Sequence, residues 1–294
     1  MNLGVVFPQT EIGDDPVKVR DYAQAAEALG YDHMLCFEHV LGANPESRPG
    51  WSGPYSSVDI FHEPFVLFSH LAAITKRIEF MTGILVLPQR QTALVAKQAA
   101  ALDVLSGGRF RLGIGVGWNE VEYEALDENF RNRGRRSEEQ VEVMRQLWTH
   151  ETITFQGEWH TITDAGIKPL PVQRPIPIWF GGAADRVLRR IARLADGWLM
   201  ELDAGDPGMG GQIETMHGYL REAGRDPAAF PIEAWIRHAN RAPEEWAEAA
   251  AELVRLGCSH VCLDSMRAGI GGADAHIEAI RQFHEAVSAR LGGS

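Results

Sequence analysis

Glu38 and His39 follow the apolar run YDHMLCF (31–37). A histidine where a strand gives way to a loop could carry a proton or donate a hydrogen bond, because imidazole titrates near neutrality. It could equally be structural, with Glu38 a loop anchor. A second stretch, RFRLGIGVGWNEVEYEAL (109–126), places Gly113, Gly115 and Gly117 at alternate positions before Trp118-Asn119-Glu120. Alternate residues of a strand share a face. Phe110, Leu112, Ile114 and Val116 therefore lie together, and the opposite face is left without side chains. That suits close approach of another group to the backbone, or a bulge or packing corner. A third stretch, Gly181-Gly182-Ala183-Ala184, leads into a helix. Its backbone N–H groups, at the positive end of the helix dipole, suit a phosphate or carboxylate, although an ordinary glycine-rich loop reads the same way.

Other chemistries find less support. His33 and His39 stand six apart, and His62, His70, His150, His160 and His238 show no ligand spacing. Cys258 and Cys262 lack further ligands at suitable intervals, so no metal is expected. The strand glycines lack the spacing of a dinucleotide fingerprint, and no acidic residue ends the next strand at the required distance. A net charge of −12 argues against a nucleic-acid partner. No apolar run reaches the roughly 20 residues of a membrane span. The run MNLGVVFPQTE has no positive leader, and the three cysteines form no paired framework, which predicts a reduced, cytoplasmic protein.

These residues need elements to position them. Strands are expected at 3–7, 31–37, 78–87, 110–117, 176–180, 196–201, 230–237 and 260–264. Helices alternate with them: Asp15-Pro16 to Leu29 with Gly30 as its stop, then 64–75, 92–105, a long helix with Ser137 and Gln140 as its capping box, 185–194, 210–223, 243–256 and 274–290. Strands alternating with helices imply a parallel sheet with right-handed crossovers. Eight such units in 294 residues predict an α/β fold, a closed (β/α)8 TIM barrel, as one domain over 1–294 with elaborations near 41–61 and 150–175. Function in this architecture sits at the C-terminal ends of the strands. That rule selects Glu38 and His39, Gly83 and the residues after it, Gly115-Val116-Gly117-Trp118, Gly181 to Ala184, Glu201 and Asp264.

LDVLSGGRFRLGIGVGWNEVEYEAL with RGRRSEEQVEVMRQLW, EALGYDHMLCFEH, AAITKRIEFMTGILVLPQR, VQRPIPIWFGGA and ADGWL together resemble the luciferase-like flavin and deazaflavin enzymes. GVGW after strand four and EH after strand two look most like the branch that uses coenzyme F420, a 5-deazaflavin. The resemblance implies a ring seated in the barrel mouth at the ends of strands two to four. It also implies a strand-three bulge at Gly83-Ile84, often a non-proline cis peptide, behind that ring. Trp118 would then wall the pocket, and Gly181, Gly182, Ala183 and Ala184 would hold the phosphodiester. Some sugar-phosphate dehydrogenases of the family carry a glutamate directly after the strand-four glycines. Trp118 stands there instead, with Glu120 and Glu122 only nearby, which puts sugar-phosphate oxidation in doubt.

The expected activity is therefore F420-dependent hydride transfer to or from a small organic substrate. Cofactor contacts come from Glu38, His39, Gly83, Ile84, Gly115, Val116, Gly117, Trp118 and Gly181 to Ala184, with His39 as the catalytic group. An FMN-dependent monooxygenase is the alternative on the same fold, and a barrel that only binds a ligand is the non-catalytic one. The resemblance also implies a homodimer. The composition of loops 41–61 and 201–212 does not identify a substrate.

Overall fold

The structure is a computed structural model that describes residues 1–238 and 241–291; the last three residues of the expected 1–294 domain lie outside it, as do 239–240. The chain runs β1 (Asn2–Val6), α1 (Gln9–Ile12), α2 (Pro16–Leu29), β2 (His33–Cys36), α3 (Pro64–Ile74), β3 (Glu79–Thr82), β4 (Leu85–Val86) and α4 (Thr92–Ser106). It continues with β5 (Phe110–Gly115), α5 (Glu120–Ala125), α6 (Arg133–Thr149), β6 (Ile153–Gln156), β7 (Thr161–Ala165), β8 (Ile178–Gly181) and α7 (Asp185–Leu194). Last come β9 (Gly197–Asp203), α8 (Met209–Glu222), β10 (Ile232–Arg237), α9 (Pro243–Arg255), β11 (His260–Asp264) and α10 (Gly272–Leu291).

β3, β2, β1, β11, β10, β9, β8 and β5 pair in that order, and β3 pairs again with β5. Among the described residues eight parallel strands thus close into the expected (β/α)8 barrel. The third strand is broken: β3 and the short β4 both align on β5, Phe80 with Phe110 and Leu85 with Ile114. Between them the Gly83–Ile84 peptide is cis.

Local signals explain the helices. Asp15 caps α2 by accepting from the Val17 and Lys18 N–H groups, Pro16 opens it, and Gly30 ends it at φ 97°. The capping box expected at Ser137 and Gln140 does not form, because α6 begins four residues earlier, at Arg133. Ser137 donates to the Gly134 carbonyl within the helix, and Gln140 donates to the Leu87 and Arg90 carbonyls.

The main core lies between strands and helices, where Phe110, Leu112 and Ile114 join Phe65, Phe68 and Trp148. Inside the barrel is a second apolar layer of Val6, Leu35, Met81, Trp179, Leu199, Cys262 and Met266. Phe37, Ile84, Tyr55 and Trp235 pack on it as partly buried residues.

Both expected elaborations leave the regular pattern. β6 and β7 form an antiparallel hairpin docked on α6, where Glu139 accepts from the Glu158, Trp159 and His160 N–H groups. The 41–61 segment is a loop with one short helical turn, Pro45–Ser47. Arg267, after β11, fastens this loop by donating to Asp59 at 2.6 Å and to the Pro54 carbonyl.

Candidate active site

The site begins where β2 and the broken third strand end side by side, the Gly83 N–H donating to the Cys36 carbonyl. A Cβ on Gly115 would lie 2.6 Å from Ile84 Cδ1, and one on Gly181 would lie 2.8 Å from Ile84 Cγ2. A Cβ on Gly113 would meet the Thr82 carbonyl oxygen at 1.8 Å, and one on Gly117 would meet Val86 Cγ1 at 2.6 Å. The bare face of β5 does point into the barrel, as alternation requires. Its neighbours there are the broken third strand rather than open space. The glycines admit Ile84, and Ile84 forms an apolar shelf at the mouth.

Glu38 is buried at 4% exposure and committed to the fold. One carboxylate oxygen accepts from the Val86 N–H at 2.6 Å, and the other pairs with Arg90. Arg90 also reaches Glu63 at 2.9 Å. Glu38 therefore holds the segment beyond Ile84 in place. A direct cofactor contact was expected of it, but both of its oxygens are already engaged.

His39 stands at the rim with its side chain 11% exposed, and its Nδ1 lies 3.2 Å from Glu122 Oε1. Glu122 is 1% exposed. It also accepts from the Val40 N–H at 2.8 Å and, on its other oxygen, from Gln89 Nε2 at 3.2 Å. Burial alone would lift this carboxyl. The hydrogen bonds from His39, Gln89 and Val40, with the charge of His39, outweigh it and hold Glu122 below the ordinary carboxylate range. The pair fixes the imidazole ring and leaves Nε2 for a ligand.

Aromatic side chains enclose the imidazole. Ring centroids of Phe61, Tyr55 and Trp118 lie 4.8, 5.1 and 5.6 Å from it, and Trp51 packs on Trp118 at 5.7 Å. Gly53 lets the loop pass, since a Cβ there would be 2.5 Å from Trp118. A cavity of about 330 Å3 adjoins, lined by His39, Leu41, Tyr55, Asp59, Phe61 and Asn119 among others. Trp118, 42% exposed, packs between His39 and Trp51 of loop 41–61.

Across the mouth, Phe37 and Trp235 stack at 5.2 Å and 24°, and Trp235 Nε1 is buried without a hydrogen-bond partner among the described residues. Gly182, at φ 127°, turns the chain toward α7, its carbonyl accepting from Trp198 Nε1. No side chain caps α7. Asp185 in its first turn is engaged by Tyr219 and Arg189. Glu201 and Asp264 also reach this end of the barrel, and burial raises both carboxyls, Asp264 to about 6.

The structure thus brings His39 and Trp118 together at the rim, and sets Ile84 against Gly115 and Gly181. Sequence reasoning missed Glu122 as the partner of His39, along with Gln89, Tyr55 and Phe61. Glu120, Glu122 and Glu124 alternate in one short segment, and only the middle one is buried. Its one visible sign was proximity to Trp118.

Residues 1–260 match the luciferase-like monooxygenase family. An uncharacterized Mycobacterium tuberculosis protein is 38% identical over 216 residues, covering 71% of this chain and 73% of its own length. The FMNH2-dependent dimethylsulfone monooxygenase of Pseudomonas putida is 30% identical over 200 residues, 67% of this chain and 52% of that enzyme. A solved F420-dependent secondary alcohol dehydrogenase, in complex with an F420–acetone adduct, superposes with a TM-score of 0.77 at 19% identity, over 97% of this chain and 98% of that one.

Proposed function

The chain belongs to the luciferase-like monooxygenase family, and from that premise we propose that it is a coenzyme F420-dependent oxidoreductase acting on a small organic substrate at the barrel mouth. The observation that carries this reading is the His39–Glu122 pair on the rim, facing a cavity of about 330 Å3 under loop 41–61. When bound, the deazaflavin supplies the carbon that gives or takes the hydride.

The residues present suit such a flat ring. Ile84, Phe37 and Trp235 offer apolar surface, and the unpartnered Trp235 indole offers one donor. Gly115 and Gly117 would act through Ile84 and Val86, which they admit, while Gly83, Val116 and Trp118 complete the proposed cofactor contacts. The uncapped start of α7, with Gly181, Gly182, Ala183 and Ala184, suits the phosphodiester. His39 holds or moves a proton at Nε2, where substrate oxygen or nitrogen would lie. Glu122 keeps the imidazole oriented. Tyr55, Phe61 and Trp118 shield the imidazole from water.

A second reading, an FMN-dependent monooxygenase, is favoured by the 30% identical FMNH2-dependent relative. Titrating the protein with each reduced cofactor, while following the deazaflavin and flavin absorbance bands and oxygen uptake, separates the two. We expect deazaflavin binding in the wild type and in His39→Ala, with turnover lost in the variant. Tight FMN binding with oxygen consumption and no deazaflavin binding overturns the proposal. Cytoplasmic residence, supported by three buried unpaired cysteines, and a homodimer, implied by family resemblance, belong to the same reading. Among the described residues no helix is long and apolar enough to cross a membrane.

A further inference from the structure

At the opposite, N-terminal end of the barrel, we propose that His33, Glu233 and Cys262 form a buried site for a borderline-soft divalent cation of the Zn2+ class. The three lie far apart in sequence, but one ligand-type atom from each falls within 4.8 Å of the others, and all three residues are 0% exposed. Gly4 makes the meeting possible. It pairs with Cys262 of β11 on one side and His33 of β2 on the other. A Cβ on Gly4 would sit 2.2 Å from His33 Nε2. The missing side chain leaves the space that the His33 imidazole occupies.

The internal hydrogen bonding of this cluster is incomplete. His33 Nε2 lies 3.0 Å from Glu233 Oε1, yet among the described residues Glu233 Oε2 and His33 Nδ1 are buried with no partner. A carboxylate oxygen buried in this way is costly unless something meets it. Imidazole, carboxylate and thiolate are each established ligand types for zinc, and three of them leave a fourth place for water.

Charge also balances. Arg111, the nearby cation, lies 3.2 Å from its own counterion Glu79 and packs over the Trp179 ring. Coordination displaces the Cys262 S–H proton to solvent as the metal–sulfur bond forms. One thiolate and one carboxylate then offset the ion's two positive charges. A cavity of about 260 Å3, lined by Asn2, His33, Arg111 and His260 among others, lies on the outer side of His33, while Glu233 and Cys262 are sealed behind it.

Titrating the wild-type chain with Co2+ tests the site without reference to the mouth. The expected result is a cobalt–thiolate charge-transfer band that saturates at one ion per chain, with one proton released. X-ray absorption should then find one sulfur among nitrogen and oxygen ligands. Cys262→Ser should lose the band, and Glu233→Gln should bind at least about tenfold more weakly. A wild-type titration without the band, a sulfur-free coordination sphere, or a band that persists in Cys262→Ser overturns the proposal. The first two outcomes decide the matter even if the variants fail to fold.

Discussion

Two histidine–glutamate pairs stand at opposite ends of this barrel, His39–Glu122 at 3.2 Å on the rim and His33–Glu233 at 3.0 Å on the base. The histidines are six residues apart in sequence. At the rim, the carboxylate is also met by the Gln89 side chain and the backbone around Val40, and the imidazole faces a cavity. At the base both side chains are sealed in, and each keeps an unpartnered polar atom. The same chemical pair is a satisfied, accessible group in one place and an incomplete, enclosed one in the other. Surroundings rather than residue type decide what each can do.

The largest test of that contrast is Glu38→Ala at the rim. It leaves a mostly buried Arg90 with Glu63 as its remaining carboxylate and frees the buried Val86 N–H, so we expect a loss of about 3 kcal/mol in urea unfolding. A loss below about 1 kcal/mol would show that the rim does not depend on this pair. Next come matched glycine substitutions. In Gly4→Ala the new methyl meets the confined His33 ring, for an expected cost of about 3 kcal/mol. Gly115→Ala meets one aliphatic side chain, Ile84, at Cδ1 and Cγ1, for about 1 kcal/mol. Equal costs would erase the distinction between a tight base and a yielding rim.

Asp264→Asn should stabilise. The Asp264 carboxyl is raised to about 6, above an unfolded value of about 3.9. It binds its proton more tightly when folded, so folding is favoured below about pH 4 and loses that advantage as pH rises through 6. The variant should gain about 2 kcal/mol at pH 7 and nothing near pH 4, as read from unfolding curves at both values. Glu122→Gln should do the reverse on a smaller scale. Glu122 sits below its unfolded value of about 4.3, so its contribution is complete above that pH and disappears as pH falls through the folded value. The expected cost is about 1 kcal/mol at pH 7, shrinking under acid. A gap that widens as pH falls contradicts the assignment.

The barrel was legible because each strand and helix announces itself locally. Asp15-Pro16 and Gly30 bracket α2, and the apolar runs at 31–37 and 260–264 enclose strands. Ser137 and Gln140 misled because their spacing fits a cap as well as it fits the interior of a longer helix whose polar side chains reach backward and sideways. The site was half legible. His39 and the glycines could be found from strand ends, but the occupant of the glycine hollow, Ile84, comes from the neighbouring strand. The absence of any metal pattern was a statement about spacing along the chain. His33 and Glu233 are 200 residues apart and meet only through β1, β2, β10 and β11. Closed barrels routinely create such meetings, and linear intervals do not record them.

The fastening of loop 41–61 by Arg267 bears on how the molecule is made. Pro54 and Asp59 precede their anchor by 213 and 208 residues. Because translation proceeds from the N-terminus, the ceiling over His39 leaves the ribosome long before the arginine that pins it. A nascent chain therefore carries an unfinished chamber until Arg267 has been synthesised and can reach back to the loop.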